Sequence, residues 1–238
     1  MTRHLLRGRS EPELLWYQRR NFLAAAAAWT ASGGFAAAQA QQSGNIVDLQ
    51  GDAQLNGARL RPEQTIQTGD QISTGPGTSL VFVVGNAAFK VRQNSLMTVE
   101  RGDTINTVSL LRLISGAVVS VWGAGTRRQI TTSTLTAGIR GTGVYTEIFA
   151  DQDNRGYFCN CYGTVDLAES TDRVTSHAQY HQAFWGEVHP KNSRYLTPAR
   201  AINHGDEELE TLARLIGQRT AWQILGHKGV MDGKGGYS

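Results

Sequence analysis

The residues with the most chemical character in this 238-residue chain are two cysteines one residue apart and two nearby histidines. They are Cys159, Cys161, His177 and His181. Thiolate sulfur and imidazole nitrogen are ligands that zinc and related soft metals prefer. If residues 158–161 form a strand, both sulfurs point to the same face, because side chains alternate along a strand. The four residues are therefore candidate ligands of a metal ion.

Other interpretations of these side chains stay open. Cysteines two apart on an extended strand have Cα atoms about 6.5–7 Å apart, at the limit for a disulfide. A bridge within the pair would need a bent backbone, and a bridge between chains is the alternative. Both cysteines also suit plain packing in a core. The cofactor is thus unknown, with a metal ion as one of three interpretations.

The histidines divide into a spaced pair and isolated residues. His177 and His181 share a face if their stretch is helical, because residues four apart are neighbours on a helix. His189, His204 and His227 have no such neighbour. Their isolation favours solvated or hydrogen-bonding roles over metal binding.

The segment that carries the cysteines is rich in β signals. Between residues 45 and 170, short runs of Val, Ile, Thr and Phe are separated by Gly, Asn and Asp, which is typical of strands and turns. Gly85-Asn86 between two apolar runs predicts a hairpin. Residues 138–143 are predicted as a turn, not a phosphate loop, because they lack a lysine and no helix follows. Predicted strands cover residues 79–84, 87–92, 96–100, 107–114, 117–121, 128–132, 143–149 and 157–168. Turn signals at such intervals predict an all-β fold, layered as a sandwich or a solenoid.

The composition changes after the predicted β domain. Residues 171–225 are rich in His, Gln and aromatic side chains and show no strand alternation. A short helix is predicted over residues 206–216, capped by Asn203 or Asp206. The glycine-rich residues 226–238 are expected to form a flexible tail.

The first 40 residues have the parts of a bacterial export signal. Arg19 and Arg20 precede an alanine-rich apolar stretch that ends in Ala38-Gln39-Ala40, a typical cleavage site. The arginine pair is typical of twin-arginine (Tat) export. Polar residues and glycines interrupt the stretch, which disfavours a membrane span. We therefore expect a periplasmic protein with no stable transmembrane anchor after cleavage.

Charge and motifs exclude several classes of function. Residues 1–40 hold five basic and two acidic residues, which leaves 18 of each on the remaining 198 and no net charge. A neutral domain lacks the electrostatic footprint of a DNA- or RNA-binding protein. The sequence also holds no nucleophile elbow, no zinc-protease helix motif and no nucleotide fingerprint. We therefore expect no nucleic-acid partner and no enzymatic activity.

Four segments, in this order, resemble the FecR domain of bacterial envelope proteins. Residues 69–79 (GDQISTGPGTS) are similar to its opening segment, and residues 94–96 (NSL) to a short turn. Residues 134–145 (TLTAGIRGTGVY) and 163–167 (GTVDL) are similar to its later segments. The resemblance covers roughly residues 48–168. It implies an all-β, layered module in the periplasm.

The resemblance implies a non-catalytic FecR-domain protein that acts as a binding, signalling or scaffold module with an envelope protein partner. The best-known members join this domain to a membrane helix and a cytoplasmic anti-sigma region. The sequence predicts neither, so direct control of a sigma factor is not expected. A second hypothesis is a metal- or cofactor-binding periplasmic protein centred on the cysteines and histidines, and a third is an envelope hydrolase.

Overall fold

The computed structural model describes residues 44–104, 107–125 and 128–229. The predicted export signal, with Arg19 and Arg20, and residues 230–238 of the predicted tail lie outside these ranges. No helix in the described ranges is long and apolar enough to span a membrane.

The described chain is mainly β, which confirms the predicted all-β class. Within the described ranges a 3₁₀ turn spans Ala150–Gln152, and the two helices are α1 (Asp206–Leu215) and α2 (Ala221–Leu225). The strands are β1 (Ile46–Gln50), β2 (Ala53–Leu55), β3 (Ala58–Arg59), β4 (Gln71–Thr74), β5 (Ser79–Val84), β6 (Ala87–Val91), β7 (Leu96–Arg101), β8 (Val108–Trp122), β9 (Arg128–Thr131), β10 (Thr136–Phe149), β11 (Arg155–Glu169), β12 (Asp172–Ala178), β13 (Gln182–Lys191) and β14 (Arg194–Ala199).

All fourteen strands belong to one sheet. Its main path runs β14-β13-β11-β10-β9-β8-β7-β4-β2-β3, while β1, β5 and β6 branch from β8, and β12 pairs with β11. The ladders are antiparallel except that of β8 with β9. The predicted hairpin is confirmed, since Val84 pairs with Ala87 around Gly85-Asn86.

Three long strands bend the sheet over itself. Along the chain, β8 changes its pairing partner from β7 to β6, β10 from β9 to β8, and β11 from β13 to β12. The changes fall at Gly116, Gly141 and Gly163, whose φ angles are 75°, 67° and 100°. Such angles strain residues that carry a Cβ atom. The glycines therefore allow the bends that let one sheet enclose a core.

Two expectations about chain segments are corrected. Residues 138–143 form a bend inside β10 rather than a turn between strands. Residues 171–225 were expected to lack strands, yet β12, β13 and β14 lie there. β12 is largely polar and, among the described strands, pairs with β11 alone. An outer strand with solvent on one side does not need the apolar alternation on which the expectation depended.

Side-chain alternation divides the apolar residues into two clusters. In β5, Leu80 and Phe82 enter the first core, which the folded sheet encloses, whereas Val81 and Val83 pack against the second core. In β11, Phe158 enters the first core. The second core lies beneath the helices and includes Ala88, Val119, Val121, Tyr145, Cys159, Cys161, Tyr162, Leu209, Leu212, Ala213 and Trp222.

The predicted helix is present as α1. Its N-cap is Gly205, whose backbone N–H donates to Glu208 Oε2 at 3.2 Å. Neither Asn203 nor Asp206 takes the capping position predicted for it. Asp206 lies in the first turn, where a negative charge interacts favourably with the helix dipole.

Candidate metal centre

The structure brings together two cysteines and two histidines from separate parts of the chain. Cys159 and Cys161 lie on β11 with 0% exposure, and both are free thiols. His181, in the turn between β12 and β13, is 4% exposed. His204 is half-buried in the loop between β14 and α1. One ligand atom from each residue lies within 4.8 Å of the other three.

Three of the four predicted ligands are therefore neighbours, and His177 is not. His177 is exposed on β12, where its Nδ1 lies 3.0 Å from Thr164 Oγ1. The stretch from His177 to His181 is not helical, so the helical spacing argument fails. His204 takes the fourth place, although it lies 43 residues after Cys161. No local spacing could have identified it.

The distances between the donor atoms suit one tetrahedral metal ion. Cys159 Sγ lies 3.6 Å from His181 Nδ1, and Cys161 Sγ lies 3.4 Å from His204 Nε2. The two ring nitrogens are 3.1 Å apart. Tetrahedral zinc, with bonds of about 2.3 Å to sulfur and 2.0–2.1 Å to nitrogen, places its ligand atoms roughly 3.3–3.8 Å apart. These three separations differ from this range by at most a few tenths of an ångström, and all four donor atoms lie within 4.8 Å of one another.

The outer hydrogen bonds of the imidazoles determine where their lone pairs point. His181 Nε2 lies 2.9 Å from Asp206 Oδ1, and His204 Nδ1 lies 2.6 Å from the Ile202 carbonyl oxygen. Both partners are acceptors, so these nitrogens carry the protons. In neutral rings the lone pairs then lie on His181 Nδ1 and His204 Nε2, which face each other. A thiol proton beside each nitrogen or one shared metal ion can occupy these lone pairs.

Residues around the cluster orient its ligands as outer partners do in known metal sites. Asp206 also accepts hydrogen bonds from Tyr180 Oη at 2.9 Å and from Lys228 Nζ at 2.5 Å. Burial on its own would raise the pKa of Asp206, but Lys228, His181 and Tyr180 outweigh it and lower that pKa. Trp222 is 3% exposed and stacks on His181, with 5.6 Å between the ring centroids.

When no metal is bound, the pKa values of the two thiols are shifted in opposite directions. Burial acts to raise the pKa of both thiols. For Cys159, hydrogen bonds from Cys161, His181 and His204 outweigh burial and lower the pKa. For Cys161, burial and the neighbouring Cys159 raise it. Burial acts to lower the pKa of His181, but Cys159 and Asp206 outweigh it and raise that pKa. A metal ion would displace the protons shared among the two thiols and the two facing imidazole nitrogens.

The line from Cys159 through His181 to Asp206 also resembles a nucleophile, its base and an orienting carboxylate. A nucleophile must meet a substrate, however, and the Cys159 side chain has no exposed surface. A disulfide to another chain would need the same access. Burial therefore favours a closed structural site over thiol chemistry.

Comparisons with known proteins find only weak similarity to solved structures. No family model and no curated protein matches the chain. Two crystal structures of a proposed anti-sigma factor from Parabacteroides distasonis match with TM-scores of 0.44 and identities of 10% and 12%. The matches cover 62% and 64% of this chain and 65% and 66% of the others, just under two thirds of their length. Such similarity assigns neither a family nor a function, so FecR membership stays a prediction.

Proposed function

We propose that the protein is a non-catalytic β domain that holds one zinc ion between Cys159, Cys161, His181 and His204. The observation that carries this proposal is the convergence of the four donor atoms within 4.8 Å, with both imidazole N–H groups turned outward to other acceptors. Two thiolates neutralise Zn²⁺, which suits a buried site because an uncompensated buried charge is costly. Four protein ligands leave no open position, as in structural zinc sites.

The donor arrangement favours a single ion over an iron–sulfur cluster. In a Rieske cluster the two cysteines bind one iron and the two histidines bind the other. Here each sulfur lies beside an imidazole nitrogen, at 3.6 Å for Cys159 and 3.4 Å for Cys161. Because sulfur and nitrogen donors alternate rather than form two separate pairs, this arrangement suits one metal ion and not two.

Elemental analysis of the full-length protein, exported from a bacterial host and purified without chelator, tests this proposal. We expect one zinc per chain in the native protein and none in the Cys159→Ser/Cys161→Ser variant. Cobalt substitution should give thiolate-to-metal absorption in the native protein only. Native protein without stoichiometric metal, whose thiols react with a thiol reagent only on unfolding, would overturn the proposal.

We also propose that the chain is exported by the twin-arginine route and acts in the periplasm as a FecR-like module that binds an envelope protein. The export motif and the four FecR-like segments support this role. A structural feature supports it as well. Among the described residues β1 pairs with β5 alone, and its Val47 is 51% exposed. A free sheet edge can accept a strand from a partner.

A photo-crosslinking amino acid at position 47, introduced in living cells, tests the second proposal. His189 is a matched control position, because its side chain is 87% exposed and lies on β13, away from β1. We expect a discrete cross-linked product from position 47 and none from position 189. No product from position 47, or equal products from both, would contradict binding at this edge.

A further inference from the structure

The four donors of the metal centre belong to two separable parts of the fold. Cys159 and Cys161 lie on β11, and His181 immediately precedes β13. His204 belongs to residues 200–229, which we call the C-terminal segment. This segment follows β14, the last strand in the described residues, and contains α1 and α2. A metal ion would therefore join the segment to the sheet.

Polar contacts outside the metal ligands also attach the C-terminal segment to the sheet, including those of Asp206 with His181 and Tyr180, both at 2.9 Å. Within the described residues the segment adds no strand to the sheet, and α1 has only ten residues. Helices of that length are marginal in water without tertiary contacts. Glu208 forms ion pairs with Lys90 and Arg92, both at 2.8 Å. Tyr157 Oη donates to the Arg200 carbonyl oxygen at 2.8 Å.

The segment covers an apolar face of the sheet. Leu209, Leu212 and Trp222 are at most 3% exposed and pack in the second core. On the sheet side this core includes Val119 and Val121, both fully buried. If the segment detached, this apolar face would meet solvent.

We propose that the metal ion is a clasp that controls whether the C-terminal segment stays docked on the sheet. The proposal rests on the metal site proposed above and assigns its regulatory role. Detachment of the segment with metal bound must break the bond from His204, while Cys159, Cys161 and His181 keep the ion. Docking and metal binding are linked equilibria. The factor by which docking of His204 raises the affinity for the metal is therefore also the factor by which bound metal raises the equilibrium constant of docking. Occupancy of the site thereby determines exposure of the apolar face.

Hydrogen exchange of the full chain, measured by mass spectrometry with and without saturating zinc, tests the clasp. We expect zinc to slow exchange of the amides in α1 and α2 by about 100-fold, if His204 supplies about a quarter of the binding free energy of a four-ligand site. Peptides from β4 and β7, which lie outside the second core, should change little and report on global stability.

Two variants that each lose one ligand separate the clasp from general stabilisation. His204→Ala keeps three ligands on the sheet side, so it should bind zinc without slowing exchange in the helices. Cys159→Ser also loses one ligand but keeps His204, so saturating zinc should still slow exchange there. Zinc binding by wild-type protein with unchanged exchange in α1 and α2 would overturn the clasp and leave the metal site intact. Native mass spectra without bound zinc would instead overturn the metal site.

Discussion

Removal of the His204 imidazole should weaken zinc binding about 100-fold, whereas removal of the His177 imidazole should leave it unchanged. The sequence pattern favoured His177 as a ligand over the isolated His204, although both offer the same imidazole. In the structure His204 Nε2 lies 3.4 Å from Cys161 Sγ and 3.1 Å from His181 Nδ1. His177 instead is exposed beside Thr164. His177→Ala is therefore a matched control for His204→Ala.

The expected magnitude follows from the number of ligands. Structural zinc sites of this type bind with an apparent free energy of roughly 10–16 kcal/mol. An equal share for each of four donors is about 3 kcal/mol. Because 1.4 kcal/mol is a tenfold change in affinity, the loss of one donor should reduce affinity about 100-fold. The three remaining donors still form a site of the open type seen in catalytic zinc centres.

Competition with a chromophoric chelator of known zinc affinity measures the three dissociation constants at one pH. The result that refutes the assignment is equal zinc affinity in His204→Ala and wild-type protein. An equal loss in both histidine variants would also refute it, because His177 does not reach the cluster. Either result would show that the facing lone pairs of His181 and His204 do not bind the ion.

Two further predictions concern docking of α1 and export. Glu208→Gln should lower the free energy of unfolding by about 1–2 kcal/mol, because its pairs with Lys90 and Arg92 are 20–32% exposed, between the fully buried and the surface cases. Burial acts to raise the pKa of Glu208, but Lys90 and Arg92 lower it overall. The contribution of the Glu208 ion pairs to stability should therefore be complete above pH 4.5, the ordinary pKa of this carboxyl group. It should be lost as the pH falls through the lower pKa that Glu208 has in the folded protein. Urea unfolding of both proteins from pH 7 to pH 3 measures this, and a difference that grows toward acid would contradict it. Arg19→Lys with Arg20→Lys should block periplasmic appearance, because the translocase recognises the arginine pair; fractionation showing normal export would exclude that route.

Local turn chemistry explains why many strands could be predicted. Gly85-Asn86 and the apolar runs on either side of it specify the β5–β6 hairpin within a dozen residues. The prediction failed where a strand does not end at its turn-like residues. Residues 138–143 look like a turn, but Gly141 bends β10 while pairing continues on both sides. Whether a glycine ends a strand or bends it depends on the neighbouring strands, which a local pattern does not contain.

The sequence by itself determined that Cys159 and Cys161 share a face, because alternation along a strand is a property of consecutive residues. It also indicated the helix that begins at Asp206. Only the tertiary structure decided that His204 and not His177 joins His181, and that Asp206 supports the site. These contacts join residues more than 20 positions apart. Such contacts arise when the C-terminal segment covers the apolar face of the sheet, and burial of that face is a property of the whole fold rather than of any spacing in the chain.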